Sequence, residues 1–426
     1  MVEIKFLGGC RTIGGSAIKV SSENKNLLLD YGMTMGRPPS FPSSVSPKDL
    51  DFIILSHCHA DHSCGIPYLY SGAAAPKLLT TPPTIDLARL IILDTIKISK
   101  YFLPYGNQEL FQMIDNTQTI NYNKVKIRNG ISLTFYNAGH VPGSALTLLE
   151  IDGKKILYTG DFNLTSTRLV NSAYTDFPKL DYVIIESTYA MEEHPDRIQT
   201  EQQFINDLVE IYKNGGIVLI PAFGVSRSQE ILLVLTKYGV KSPIHIDGMA
   251  RTASFIIKDH PNYVKDFNFY KSALKKGKFI SFHRKKKKER LRALSKPGVI
   301  IAPSGMLHGG TAIMYLENLA DNENNGIFLV SYQVPGSQGR FLLDNGYYVS
   351  KELQEQVIVD AKLNLYNFSS HSDKNQLWKF IENLKLNPDG KIFCIHGEEN
   401  SCIEFANKIN EELHIEAYAP KTDEIF

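Results

Sequence analysis

The sequence predicts an α/β protein built from two differently organised modules. Three observations carry this: short apolar runs separated by turn signals in the first third, a regular strand and helix alternation from about residue 191, and three imidazoles with a carboxylate packed into positions 57–62, directly after an apolar run. The opening runs at 2–7, 17–20, 26–30 and 52–55 read as strands. Helical spacing of Ile85, Leu87, Leu90, Ile91, Ile92 and Ile96 follows Pro82 and Pro83, residues suited to a helix start. Strands come next at 131–138, 145–151, 155–159 and 182–186. The second rhythm is helix 200–212, strand 217–221, helix from Ser226, strand 244–246, helix from Met249, strand 299–302, helix from Gly310 and strand 327–331, the pattern of βαβ units on a parallel sheet. After Arg340 the chain reads as a linker, a β-rich stretch at 357–368, a helix from Asp373, a strand at 391–395 and a helix near 402–413.

At 426 residues, with 43% hydrophobic and 21% charged residues, the chain is an ordinary globular protein long enough for two domains. Its longest apolar stretches, such as 217–223, are far too short to cross a bilayer, and residues 1–8 show no secretory pattern. No membrane partner is expected. Five cysteines, odd in number and without a C-x-x-C pair, exclude a disulfide framework and suit a reducing cytoplasm. Cys58 and Cys64 read as small packing residues. Net charge is only +1, yet seven Lys or Arg fall within 284–292 beside one acid, Glu289. Such a run is a solvated helix face, a nuclear signal or an electrostatic funnel for RNA.

The segment Ser56-His57-Cys58-His59-Ala60-Asp61-His62 carries the chemistry. Alternate residues leaving a strand point the same way, so His57 and His59 can converge on one ion while the following turn presents Asp61 and His62 to a second. Imidazole with carboxylate suits zinc, and manganese or iron fit the same donors. His140, in Asn137-Ala138-Gly139-His140, and Asp161, in Tyr158-Thr159-Gly160-Asp161, each follow an apolar strand beside a glycine that allows close backbone approach.

These motifs resemble the metallo-β-lactamase superfamily of binuclear metal hydrolases. The resemblance implies an αββα sandwich in which His57, His59 and His140 hold one metal, Asp61 and His62 the other, and Asp161 bridges. Asp30, in Leu27-Leu28-Leu29-Asp30-Tyr31-Gly32, would orient ligand side chains. Three later elements, Ile184-Ile185-Glu186-Ser187-Thr188-Tyr189, Phe368-Ser369-Ser370-His371-Ser372-Asp373 and Phe393-Cys394-Ile395-His396-Gly397-Glu398, are similar to the additional motifs of the β-CASP nucleases. That group includes ribonuclease J and the pre-mRNA 3′-end cleavage endonuclease. The resemblance implies that His396 completes the second metal's shell and that Glu186 hydrogen-bonds His371, the general acid for the departing 3′ oxygen. It further implies an inserted parallel-sheet β-CASP cap domain over the site at 190–345, between metallo-β-lactamase parts at 1–189 and 346–426.

Within the insert, Ser226 would cap a helix whose N-terminus, with Arg227, can receive a phosphate. Ser304 and Arg340 lie in further family-like segments, and with Ser370 and Ser372 they are the expected substrate contacts. A compact archaeal-type relative, without room for added KH modules, is the nearest description. The expected activity is two-metal hydrolysis of single-stranded RNA, 5′–3′ exonucleolytic or endonucleolytic, in RNA processing or decay, by a homodimer or a member of a processing complex. Two rivals use the same residues differently: a small-molecule metallohydrolase, which leaves the insert, Glu186 and His371 unexplained, and a silent RNA-binding subunit, which would have lost metal ligands.

Overall fold

The computed structural model describes every residue except 1, 24, 37, 100, 101, 129, 335 and 351–354. The chain folds as two compact units, Met1–Glu193 with Ser370–Phe426, and His194–Ser369.

The first unit is a sandwich of two sheets. One runs Val2–Gly8, Ala17–Ser22, Lys25–Leu29, Phe52–Ile54, Lys77–Thr80, Thr117–Thr119; the other runs Glu416–Tyr418, Leu386–Ile395, Leu180–Glu186, Lys154–Tyr158, Ala145–Ile151, Ile131–Asn137, Val125–Arg128. Strand alternation sorts the second sheet's side chains. Ile156, Tyr158, Ile184, Phe393 and Ile395 join Phe6, Ile18, Val20, Leu29 and Ile54 of the first sheet in the central core. Their neighbours Leu157, Val183, Ile185, Ile392 and Cys394 face the other way, onto Leu377 and Phe380 of the helix Lys374–Asn383 and Phe405 and Ile409 of Glu399–Leu413. Phe393 lies 5.1 Å from Phe6 and 4.9 Å from Phe426 between ring centroids. Truncating this fully buried ring to Ala would cost about 3–5 kcal/mol.

The second unit is a parallel sheet in the order Gly277–Phe279, Ile244–Ile246, Gly298–Ala302, Ile217–Pro221, Gly326–Leu329, Lys362–Leu365, with helices between successive strands. Its strands are almost continuous apolar runs because helices can cover both faces of such a sheet. Three features differ from the sequence expectation. Residues 341–345, just after Arg340, are helix and not linker: Ser337 caps a helix Gln338–Asn345 by accepting the Arg340 amide, and Gly346, at φ 73°, ends it. Helices also form at Phe267–Lys276 and Lys286–Leu294. The return to the first unit falls at Ser370 rather than 346, because Lys362–Leu365 pairs in parallel with Gly326–Leu329 and so extends the second unit's sheet.

Candidate functional site

The first unit's site is built at strand ends. Phe52–Ile54 is flanked in parallel by Lys25–Leu29 and Lys77–Thr80, and the chain leaving it enters the short helix Ala60–Ser63. The turn is held from both sides: Ser16 and Tyr31 amides donate to the carbonyls of Asp61 and His62, and the Ala145 amide donates to Ser56. Gly32 is required here, since a Cβ at this position would lie 1.7 Å from the Asp61 carbonyl oxygen. Gly160 plays the matching part before Asp161, with φ 49° and Ser56 atoms 2.8 Å from where its Cβ would be.

Asp30, fully buried, collects four donors. The Ser56 amide (2.7 Å) and hydroxyl (2.6 Å), the Tyr158 hydroxyl (2.7 Å) and His62 Nδ1–H (2.7 Å) all donate to its carboxylate, so His62 turns Nε2 inward. Around Asp161 the remaining side chains converge. His57 Nε2 lies 3.4 Å and His140 Nε2 3.7 Å from Oδ2; His62 Nε2 and His396 Nδ1 each lie 3.3 Å from Oδ1. His140 Nε2 is 3.1 Å from His59 Nδ1, while its own Nδ1–H donates to the Ser370 carbonyl at 2.9 Å. Asp61 Oδ2 is 3.3 Å from His396 Nε2. The donor atoms fall into overlapping groups, His57, His59, His140 and Asp161; His57, Asp61 and His62; and His62, Asp161 and His396, each within 4.8 Å.

Two observations test whether a cation fits. His57 Nε2 and Asp161 Oδ1 are buried polar atoms with no hydrogen-bond partner, an arrangement that costs free energy unless an ion supplies the missing contact. The local field also calls for positive charge. Burial disfavours protonation of every imidazole and holds His57 and His140 well below the ordinary histidine value and His59 down at about 4, so these three are neutral donors. At His62 and His396 burial is overcome by Asp161 and Asp61, which raise both. Asp161 is itself pulled well below the usual carboxylate range, against burial, by His396, His62 and His57. Nitrogen and oxygen donors of this kind suit zinc.

Beside this cluster lies an acid pair. His371 Nδ1–H donates to Glu186, 2.8 Å from Oε2 and 3.1 Å from Oε1, and the same carboxylate accepts the Phe162 amide and the Thr188 hydroxyl. Burial would lower His371, but Glu186, then Asp161 and Asp61, raise it to about 9. Asp161, Glu186 and His371 again offer atoms within 4.8 Å, so the pair abuts the cluster.

Ser56, Tyr158 and Thr188 stand inside the quoted motifs but had no assigned role. Thr188 reaches both the Glu186 carboxylate and His396, whose carbonyl is 3.0 Å and Nδ1 3.3 Å from its hydroxyl. The expected substrate contacts divide. Ser370 and Ser372 lie in the first unit: Ser370 offers its carbonyl to His140, and the fully buried Ser372 accepts the Leu164 amide with its hydroxyl, a packing contact. Ser226, Arg227, Ser304 and Arg340 belong to the second unit. Ser226 stands at the N-terminus of Arg227–Lys237 but makes no side-chain cap, because its φ of 69° departs from the extended conformation that aims a hydroxyl along the first turn. The amides of Arg227 and Ser228 are spent on the carbonyls of Val225 and Phe223, so the phosphate cradle expected here is at least half filled by the protein's own backbone. Ser304 accepts the His308 amide, and Arg340 pairs with Asp344 at 2.9 Å on an exposed helix face.

Three family models match along the chain: a metallo-beta-lactamase superfamily domain at residues 19–183, a Beta-Casp domain at 228–342 and a Zn-dependent metallo-hydrolase RNA specificity domain at 356–420. The chain is 35% identical to the probable RNase MJ4 of Methanocaldococcus jannaschii, over 93% of this chain and 94% of that protein. It is 32% identical to RNase aCSPSF2 of Saccharolobus solfataricus (98% and 84%) and 34% identical to the transcription termination factor FttA of Methanocaldococcus jannaschii (98% and 70%). A crystal structure of a protein of unknown function from Enterococcus faecalis V583 matches with a TM-score of 0.63 over 100% of this chain and 99% of that one, at 16% identity, a likeness of fold.

Proposed function

Since the chain belongs to the β-CASP group of the metallo-β-lactamase superfamily, we propose that it is a ribonuclease hydrolysing phosphodiester bonds of single-stranded RNA, with two zinc ions as its cofactor. The observation that carries this reading is the placement of the Glu186–His371 pair against Asp161, the residue shared by two of the donor groups. His57, His59, His140 and Asp161 would hold one ion; Asp61, His62, His396 and Asp161 the other. When bound, such ions supply a water of lowered pKa and charge neutralisation at phosphorus.

The chain's own residues do the rest. Asp30 fixes the tautomer of His62 and, through Ser56, the turn that carries His57. Ser370 does the same for His140. Glu186 holds His371 by Nδ1 and favours its protonated form, so Nε2 delivers the proton to the departing 3′ oxygen and leaves a 5′-phosphate on the product. All seven ligand positions are filled, which supports turnover over a silent binding role. No described helix is long and apolar enough to cross a membrane. RNA processing or decay in the cytoplasm, by a homodimer or within a processing complex, is the setting that fits this reading.

The test is a time course on single-stranded RNA labelled at either end and bearing 5′-hydroxyl, monophosphate or triphosphate. Mononucleotide release from the 5′ end means exonuclease, and discrete internal fragments mean endonuclease. His371→Ala abolishes both while metal stays near two per chain, the stoichiometry expected of such a centre. Undiminished turnover in that variant refutes the acid assignment.

A further inference from the structure

One edge of the second unit's sheet gathers a large excess of positive charge. Residues 265–296 hold thirteen Lys or Arg against two acids, whereas the rest of the chain has 33 against 43. They surround the sheet's outer strand Gly277–Phe279: the helix Phe267–Lys276 precedes it and the helix Lys286–Leu294 follows it. Lysines on an edge strand also prevent edge-to-edge aggregation, which accounts for Lys278. That reading does not reach the basic helix. Arg284, Lys285, Lys287, Lys288 and Arg292 are exposed and none forms a salt bridge among the described residues. Three of the lysines crowd the first turn of a helix, where the macrodipole and mutual repulsion both disfavour them.

The structure holds this cationic surface in place rather than letting it fray. Arg290 pairs with the buried Asp247 at 2.6 Å, and Asp247 also accepts the Tyr315 hydroxyl; Glu289 accepts the Ser281 amide at 2.7 Å. Beside the lysines two phenyl rings reach solvent, Phe282 at 48% and Phe255 at 39% exposure. The Arg251 guanidinium lies 4.7 Å from the centroid of Phe282 and 5.9 Å from that of Phe255, and its buried Nε has no hydrogen-bond partner. Exposed aromatic faces next to unpaired cations are the ingredients of a single-strand platform, on which bases stack and the backbone is tracked by charge.

We propose that this edge is an RNA-holding surface, with Lys285, Lys287 and Lys288 contacting phosphates and Phe282, steadied by Arg251, stacking a base. The proposal rests on RNA being the substrate class, and it adds a binding surface that the catalytic reading does not require. It is tested on the full-length protein with metal chelated, so that binding of a 20-nucleotide single-stranded RNA is followed without cleavage across a salt series. Each phosphate contact contributes about 0.7 to the slope of log affinity against log salt, so the triple variant Lys285→Ala, Lys287→Ala, Lys288→Ala flattens the slope by about 2 and weakens binding about a hundredfold at 0.1 M salt. Phe282→Ala weakens binding about tenfold with the slope unchanged. A triple variant with the wild-type slope, or a Phe282→Ala variant with wild-type affinity, overturns the proposal and leaves the cations to an acidic protein partner. Failure of the ribonuclease reading shows up separately, as intact RNA with metal-replete wild-type protein.

Discussion

Replacing Glu186 by Gln tests the acid pair most directly, because the amide keeps the shape and an acceptor oxygen while removing the charge. The carboxylate is the leading influence raising His371 against burial. The distance from the ordinary 6.5 to about 9 corresponds to about 3 kcal/mol in favour of the protonated ring. Cations bound at the neighbouring acids offset what Asp161 and Asp61 contribute, so the alkaline limb of the metal-loaded enzyme lies below about 9 and Glu186 is the contribution that survives. Without it burial carries the ring to 6.5 or lower, and at about pH 7.5 the protonated fraction falls from most of the population to less than about a tenth. The expected result is a loss of about tenfold in kcat at that pH, with the alkaline limb displaced toward neutrality and partial recovery at acid pH. The assay is kcat against pH on saturating RNA, with metal content measured in parallel. An unmoved limb with unchanged kcat refutes the reasoning; lost metal would instead make Glu186 a ligand. The sign extends to stability. A raised folded-state pKa stabilises below about 6.5 and that contribution disappears as pH climbs through about 9, so Glu186→Gln flattens this part of the unfolding profile.

Asp30→Ala strips an acceptor from four donors, three of them side chains, and is expected to cost about 3 kcal/mol or more in urea denaturation and to lower metal retention. Tyr158→Phe removes one of those donors and costs about 1 kcal/mol, read as a small drop in Tm with metal content intact. Gly32→Ala pushes the Asp61–His62 turn away and is expected to yield a folded protein that retains less than its full metal complement by atomic emission. Chelation lowers Tm in calorimetry, by the equivalent of about 2.7 kcal/mol where free zinc had stood at a hundred times its Kd; an unchanged Tm would mean that no ion braces the cluster.

The side chains that converge around Asp161 were legible because each stands in a contiguous motif at a strand end, and strand ends are readable from apolar runs. What braces them was not. Tyr158 reaches Asp30 across 128 residues, and Thr188 reaches His396 across 208, contacts that leave no mark in local spacing. Ser226 misled for the opposite reason: its identity suits a cap, but a left-handed φ set by the surrounding loop overrides that preference. The helix Gln338–Asn345 lay hidden because Gly336, Gln338 and Gly339 look like loop, although Ser337 and Gly346 mark its two ends. The pairing of Lys362–Leu365 with Gly326–Leu329, which extends the second unit's sheet past residue 346, is decided by tertiary assembly, not by pattern.

His396 meets Asp61 although 335 residues separate them, and the Phe426 carbonyl and amide pair with Ile4 in the first strand. During synthesis, therefore, the imidazole from the late motif can reach its place only after the 395 residues before it have been made. An unfinished or prematurely terminated polypeptide carries the early histidines but cannot assemble the whole constellation. A copy that stops short of residue 396 therefore lacks one of the side chains that gather around Asp61 and Asp161.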